Sequence, residues 1–178
     1  MLYALKQKDG LVTDMRSIRL LIESGRQILA SIAGQIQADS VVYMPSGYAV
    51  SNIIGKRCAR ALGAQMFDGV FRKTSKLSAY EMLDRADRNG DISTIDKKML
   101  LFRLRKSEVF SLKDIPIPFR GIFTPLHVHP GFTGDIHGRV LLVDDLLASG
   151  QTLSVAAGLI RQMPNVAAVA AVCLFSDV

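Results

Sequence analysis

The sequence predicts an α/β fold in which a central, mostly parallel sheet is flanked by helices. Two observations support this prediction. Short segments are apolar throughout, as expected for strands buried on both faces. Between them, apolar residues recur at helical spacing, so that strands and helices alternate along the chain. The clearest apolar segments are Ser40–Met44, Val140–Val143 and Val169–Leu174.

The N-terminal segment predicts a strand or hairpin followed by a helix. Residues 2–12 are interpreted as a short strand or hairpin because Asp9-Gly10 is a common turn sequence. Asp14 is expected to cap the next element. Apolar residues then recur at helical spacing from Ile18 to Ile36, which predicts an amphipathic helix.

A strand, a tight turn and a second helix follow. The strand Ser40–Met44 is broken by Pro45-Ser46-Gly47. Helical periodicity resumes at Val50 and continues to Leu62, with Gly63 as the expected C-terminal cap. Met66–Phe71 is predicted to form the next strand.

The middle of the chain has weaker signals. Ser78 and Glu81 have capping-box spacing, which predicts a helix over 78–88. Residues 94–107 fit either a helix or an edge strand. The proline- and glycine-containing residues 114–138 are expected to be mostly loop, with a short strand near 120–124.

The C-terminal segment again alternates between strand and helix. Val140–Val143 is a predicted buried strand, and 146–151 a loop. A helix is expected from Thr152 to Met163, where Pro164 ends it. Val169–Leu174 is the last predicted strand.

Length and composition favour one globular domain spanning residues 1–178. The 49% hydrophobic and 21% charged fractions argue against disorder. Cys58 and Cys173 are the two cysteines, too few for a disulfide scaffold. The longest nearly uninterrupted apolar run, 166–175, is about half of the ~20 residues that span a bilayer. We therefore expect a cytoplasmic protein with no membrane partner.

The positive charge is concentrated in one segment. The formal net charge is +6, and residues 72–120 contain 12 Lys or Arg against 7 Asp or Glu. Such a surface suits an anionic partner, either a phosphorylated small molecule or a nucleic acid. A solvated basic face is an equally ordinary explanation of the charge alone.

The most informative run is Val140–Thr152, which reads VLLVDDLLASGQT. Four apolar residues lead to Asp144 and Asp145 at the expected carboxyl end of a parallel strand, the edge where α/β sheets bind ligands. The small residues that follow let a backbone approach a phosphate at a helix N-terminus. Carboxylates repel phosphate, but they accept hydrogen bonds from sugar hydroxyls or bind Mg²⁺. The run therefore indicates a phosphorylated sugar together with a metal ion.

The thirteen residues of this run resemble the signature of type I phosphoribosyltransferases, which bind phosphoribosyl pyrophosphate (PRPP). The resemblance implies the type I phosphoribosyltransferase fold with a flexible hood, here approximately residues 72–138. Two weaker features agree with it. Pro45–Tyr48 has the position of the loop that wraps the pyrophosphate. Phe71–Leu77 is similar to a basic stretch of adenine and xanthine phosphoribosyltransferases, and 73–85 faintly resembles competence-associated relatives.

The resemblance also implies an activity and a set of site residues. Ribose 5-phosphate would pass from PRPP to a nitrogenous acceptor, and pyrophosphate would leave. Asp144 and Asp145 would hold the ribose hydroxyls and Mg²⁺, directly or through water, and one of them is a candidate base. Arg72 is the third implied catalytic residue, and it would contact the pyrophosphate together with Lys76. The implied substrate-binding residues are Ser46, Gly47, Tyr48, Lys73, Lys76, Ala148, Ser149, Gly150, Gln151 and Thr152.

Several alternatives remain open from the residues alone. The absence of Lys and Arg from 45–48, together with the basic 72–120 segment, favours a non-catalytic sensor of PRPP or nucleotides that binds nucleic acid. A remnant that binds nothing is a third possibility. His127 and His129 could share a metal ion if they lay on a strand, because alternate residues of a strand point to the same side, and His137 follows them. Loop histidines are the preferred interpretation. A lining of the acceptor pocket by this loop is a further alternative. A homodimer is expected from the family, and the acceptor is not identified.

Overall fold

The secondary structure alternates between strands and helices, as a computed structural model of the chain describes it for residues 12, 14–46, 49–147 and 150–176. In chain order, the elements are α1 (Met15–Ala33), β1 (Ser40–Tyr43), α2 (Val50–Leu62), β2 (Gln65–Phe67), β3 (Phe71–Lys73), α3 (Lys76–Asn89), α4 (Thr94–Lys106), two 3₁₀ helices (Leu112–Asp114 and Ile117–Ile122), β4 (Leu126–Val128), β5 (Gly138–Leu147), α5 (Gln151–Arg161) and β6 (Val166–Ser176).

The central sheet has four strands in the order β2-β1-β5-β6, and every neighbouring pair is parallel. Alternate residues face opposite sides of the sheet. Val41 and Leu141 pack with α1 and α2 on one side. Val42 and Leu142 pack with α5 on the other. The predicted α/β fold with a parallel sheet flanked by helices is confirmed.

An antiparallel pair, β3 and β4, lies outside the central sheet and carries a helical subdomain of residues 74–125. α3, α4 and the two 3₁₀ helices form this subdomain. Its buried core is separate from those of the sheet and consists of Ala79, Leu83, Leu100, Leu104, Phe110, Ile115 and Phe123. The segment expected as a hood is therefore folded around its own apolar core.

Thr74 joins the two chain crossings at the base of the subdomain. Its N–H donates to the Pro125 carbonyl at 3.0 Å, and its hydroxyl donates to the Thr124 carbonyl. The side chain is buried. These bonds fix where the chain leaves β3 and where it returns to β4.

Several predicted boundaries are correct or nearly so. Asp14 caps α1, since its carboxylate accepts the Ser17 N–H at 2.7 Å. α1 ends at Ala33, before the expected Ile36. α2 ends at Leu62, and Gly63, with a left-handed φ of 64°, is its C-terminal cap, as predicted. Residues 94–106 are a helix and not an edge strand. The predicted hairpin at 2–12 lies almost wholly outside the described residues.

Other predictions of the middle segment are wrong. The single strand expected over 66–71 is two strands in different sheets, separated by Gly69 at φ 66°. α3 begins at Lys76 because Ser75, one turn before Ser78, supplies the cap and accepts the Ser78 N–H at 3.0 Å. The strand expected near 120–124 is a 3₁₀ helix, which Pro116 starts, and the strand lies at 126–128 instead.

The C-terminal elements were predicted in type but not in length. β5 extends through Leu146 and Leu147, which were expected to lie in a loop, because both pair with β6. Asp144 and Asp145 therefore lie within a strand. α5 covers 151–161 in place of 152–163, and β6 is longer at both ends than the predicted 169–174. Within the described residues, no helix combines the length and apolar character that a membrane span requires.

Candidate active site

The carboxyl edge of the central sheet brings the ends of β1 and β5 together. Tyr43 of β1 pairs with Val143 of β5, and the Met44 N–H donates to the Val143 carbonyl at 2.8 Å. Pro45 follows directly and lines a cleft of roughly 270 Å³ with the end of β5. Ser46 comes next in the chain. Gly47 and Tyr48 lie outside the described residues.

Asp144 and Asp145 form the acidic part of this cleft. Asp145 is buried, with 6% of its surface exposed, and Asp144 is half-buried. The Asp144 Oδ1 accepts the Asp145 N–H at 2.8 Å, which orients the first carboxylate toward the backbone of the second. Carboxylates held at a strand end can accept hydroxyl donors or ligate a hard cation.

The pKa of the Cys173 thiol depends on the charges at this edge of the sheet. It pairs with Asp144 across β5 and β6. Burial, with a smaller contribution from the negative charges of Asp144 and Asp145, raises the pKa of the Cys173 thiol to about 11. At Cys58, burial raises the pKa of the thiol to about 11 without any contribution from these carboxylates. The carboxylates are thus close enough to Cys173 to affect its ionisation.

The N-terminus of α5 forms the next wall of the cleft. Gly150 precedes the helix with a φ of 70°, a left-handed conformation that favours glycine. Gln151 and Thr152 begin the helix and line the cleft. The first N–H groups of a helix lack partners within it and, with the helix dipole, favour an anion. Ala148 and Ser149 lie outside the described residues.

The helical subdomain covers the opposite side of the cleft. Its lining residues are Phe110, Ser111, Leu112, Lys113, Arg120 and Pro125. The Arg120 Nε donates to the Ile115 carbonyl at 2.9 Å, which holds this side chain across the subdomain surface. Lys73, on β3, adds another cation. Three basic side chains therefore surround a cleft that has two carboxylates at its edge.

Arg72 and Lys76 do not line this cleft, although both were implied site residues. Successive residues of a strand face opposite sides, so Lys73 faces the cleft while Arg72 lines a shallow depression beside His129. The Lys76 ammonium donates to the carbonyls of Ser107 at 2.8 Å and Arg105 at 3.4 Å. It therefore binds the C-terminal end of α4.

Lys113 and Arg120 are site residues that sequence reasoning missed. The excess of positive charge over 72–120 indicated an anion site somewhere in this segment. No motif distinguished these two residues from the other cations there. Their position in the cleft depends on how the subdomain folds onto the sheet.

The histidines and the two aspartates are the candidate metal ligands. Within the part of the chain that the structure describes, no three His, Cys, Asp or Glu side chains gather as a ligand group. The loop interpretation is wrong for His127, which lies in β4. The His129 Nδ1 accepts the Gly131 N–H at 2.9 Å, a local turn contact. Asp144 and Asp145 are the donor pair that fits a hard cation such as Mg²⁺, which binds one or two carboxylates and completes its shell with water and phosphate oxygens.

No family model, curated protein or solved structure matches the chain significantly.

Proposed function

We propose that this chain is a type I phosphoribosyltransferase. It binds PRPP with Mg²⁺ in the cleft between the sheet edge and the helical subdomain. It transfers ribose 5-phosphate to a nitrogenous acceptor and releases pyrophosphate. The observation that carries the proposal is the signature run 140–152. One cleft is lined by Asp144, Asp145, the left-handed Gly150 and the start of α5. These are the groups that suit the metal ion, the ribose and the 5′-phosphate of PRPP.

The N-terminus of α5 suits the 5′-phosphate. Gly150 has no side chain to separate a phosphate from the backbone, and the amides of Gln151 and Thr152 begin the helix. An anion gains from these N–H groups and from the helix dipole. The Thr152 hydroxyl would donate a further hydrogen bond to a phosphate oxygen.

Asp144 and Asp145 suit the ribose and the metal ion. The 2′- and 3′-hydroxyls donate to carboxylate oxygens, which fixes the orientation of the sugar ring. These two carboxylates would also hold Mg²⁺, directly or through water. When bound, Mg²⁺ supplies positive charge that stabilises the pyrophosphate leaving group.

The basic side chains suit the pyrophosphate. Positive charge builds on the ribose ring and negative charge on pyrophosphate as the glycosidic bond breaks. Lys73 from β3, with Lys113 and Arg120 from the subdomain, lines the same cleft and would stabilise the leaving group electrostatically. These residues take the role that the resemblance implied for Arg72 and Lys76.

The helical subdomain would serve the acceptor and exclude water. Phe110 and Leu112 give the cleft an apolar surface against which a planar nitrogenous ring can lie. Covering the sugar also limits hydrolysis of PRPP, the competing reaction. One of the two aspartates would take the proton from the acceptor nitrogen.

The test is pyrophosphate release from PRPP and Mg²⁺ with a panel of purines, pyrimidines and other amines. We expect one acceptor to support turnover. Lys113→Gln should lower kcat/KM by about a hundredfold, the usual effect of removing one group that stabilises developing charge. Lys56→Gln is the matched control, because Lys56 is an exposed lysine on α2, and it should retain activity.

The outcomes separate this proposal from its alternative. Saturable PRPP binding without turnover on any acceptor would favour the non-catalytic sensor. Turnover that survives Asp144→Asn/Asp145→Asn would contradict the assigned site.

A further inference from the structure

The outward face of α4 exposes large apolar side chains. Ile95 is 80% exposed and Phe102 is 71% exposed. They are seven residues apart, so both lie on one stripe of the helix. Leu100 and Leu104 are buried on the opposite side, in the core of the subdomain. The stripe is therefore not needed to pack α4 against its own fold.

Cations flank this apolar stripe. Four side chains of α4 are exposed and basic: Lys98, Arg103, Arg105 and Lys106. At 100° per residue, Lys98, Arg105 and Lys106 lie within a quarter-turn of the line through Ile95 and Phe102. Arg103 lies just beyond a quarter-turn from Phe102, and its guanidinium donates to the Asp114 carbonyl at 3.4 Å. Asp96 is the one acidic residue of α4, and its carboxylate accepts the Ser93 hydroxyl at 2.7 Å at the helix start.

Helix stability explains only part of this arrangement. Cations in the last turn interact favourably with the helix dipole, which accounts for Arg103, Arg105 and Lys106. The dipole does not account for Lys98, nor for exposed Ile95 and Phe102. Val109, three residues beyond the helix, is 69% exposed and continues the apolar character.

We propose that this α4 face docks onto an anionic lipid surface. The apolar side chains would enter the boundary between headgroups and acyl chains, while the surrounding Lys and Arg contact anionic headgroups. Two of the three apolar residues are aliphatic, and these cannot stack on nucleic-acid bases as aromatic rings do. This favours lipid over nucleic acid. Docking on a membrane surface needs no membrane-spanning helix. The proposal therefore replaces the expectation of no membrane partner with that of a lipid surface as partner.

The experiment is co-sedimentation of the full chain with vesicles. One set contains phosphatidylcholine alone, and the other contains phosphatidylcholine with phosphatidylserine. We expect binding to the second set that weakens as salt rises. Ile95→Ser/Phe102→Ser should lower the affinity at least about tenfold, from the loss of apolar burial. Lys98→Gln/Arg105→Gln should lower it about fivefold per cation.

The matched control is Ile53→Ser/Lys56→Gln, which changes an exposed isoleucine and an exposed lysine of α2. This variant should bind anionic vesicles as the unaltered chain does. Thermal melting checks that all variants fold. The proposal would be overturned if the unaltered chain did not bind anionic vesicles. It would also be overturned if the control lost as much affinity as Ile95→Ser/Phe102→Ser. Binding of single-stranded RNA that Phe102→Ser abolishes, without vesicle binding, would identify a nucleic-acid surface instead. The proposal does not depend on the enzymatic one.

Discussion

At the scale of single residues, the backbone of Gly150 would decide how closely the proposed 5′-phosphate can approach α5. Its φ of 70° strains any residue with a side chain, at about 1–2 kcal/mol. A Cβ there would meet the Leu147 Cδ1 at 3.6 Å, an ordinary contact. A side chain at this position therefore destabilises the protein through the strained backbone conformation and not through steric crowding.

We predict that Gly150→Ala lowers the free energy of unfolding by about 1 kcal/mol, measured by denaturant titration. It should also weaken PRPP binding. Gly158→Ala, inside α5 with open space around it, is the control and should stabilise the chain by about 0.5–1 kcal/mol. If both substitutions stabilise the protein equally, the left-handed conformation is wrong.

Cys173 provides a second prediction, independent of activity. Because burial and the two aspartates raise the pKa of its thiol to about 11, little thiolate exists at pH 8. Asp144→Asn/Asp145→Asn removes one of these causes, so the pKa falls and alkylation at pH 8 becomes faster. The increase should be less than about tenfold, since burial is the larger cause.

Iodoacetamide labelling, read at the Cys173 peptide by mass spectrometry, measures this rate. Cys58 is the internal control, because burial raises its pKa without help from these carboxylates. An unchanged rate at Cys173 would show that the carboxylates do not act on this thiol.

At the scale of elements, the helical subdomain has a core of its own. Leu100 is fully buried in it and belongs to neither core of the sheet. Stability of such a unit need not equal that of the whole chain, because local opening can expose one packed unit while another stays closed.

We predict that Leu100→Ala destabilises the subdomain by about 2–5 kcal/mol. Hydrogen exchange should become faster in α3 and α4 while β5 amides keep their protection. Leu142→Ala, in the core of the sheet, is the comparison and should increase exchange in β5, which Leu100→Ala leaves protected. Equal loss of protection everywhere in the Leu100→Ala protein would mean that the two units unfold together.

Elements with strong periodicity could be predicted from sequence, and their ends could not. The apolar run at 140–143 predicts a strand, but β5 continues to Leu147 because β6 pairs with it. That pairing is tertiary information. Local turn chemistry explains the other misses. Gly69 redirects the chain between two sheets, and Ser75 competes with Ser78 as the cap of α3.

At the scale of the whole molecule, the candidate site joins a local motif to a distant subdomain. Asp144, Asp145 and Gly150 could be predicted because a few consecutive residues carry their chemistry. Lys113 and Arg120 could not, since only the folding of the subdomain onto the sheet edge brings them to the cleft. Arg72 fails to reach the cleft for a similar reason, because strand alternation selects Lys73.

The homodimer expected from the resemblance and the identity of the acceptor stay predictions at this scale. Both depend on surfaces or partners beyond the single chain. One claim of the proposed function, that PRPP and Mg²⁺ bind at Asp144 and Asp145, can be tested on a single chain.

Calorimetric titration of PRPP with Mg²⁺ tests that claim most directly. The proteins compared are the unaltered chain, Asp144→Asn/Asp145→Asn, and Asp91→Asn as an exposed-carboxylate control. We predict saturable binding to the unaltered chain and the control, and its loss in the double variant. No binding to the unaltered chain, or equal binding to the double variant, would contradict the account.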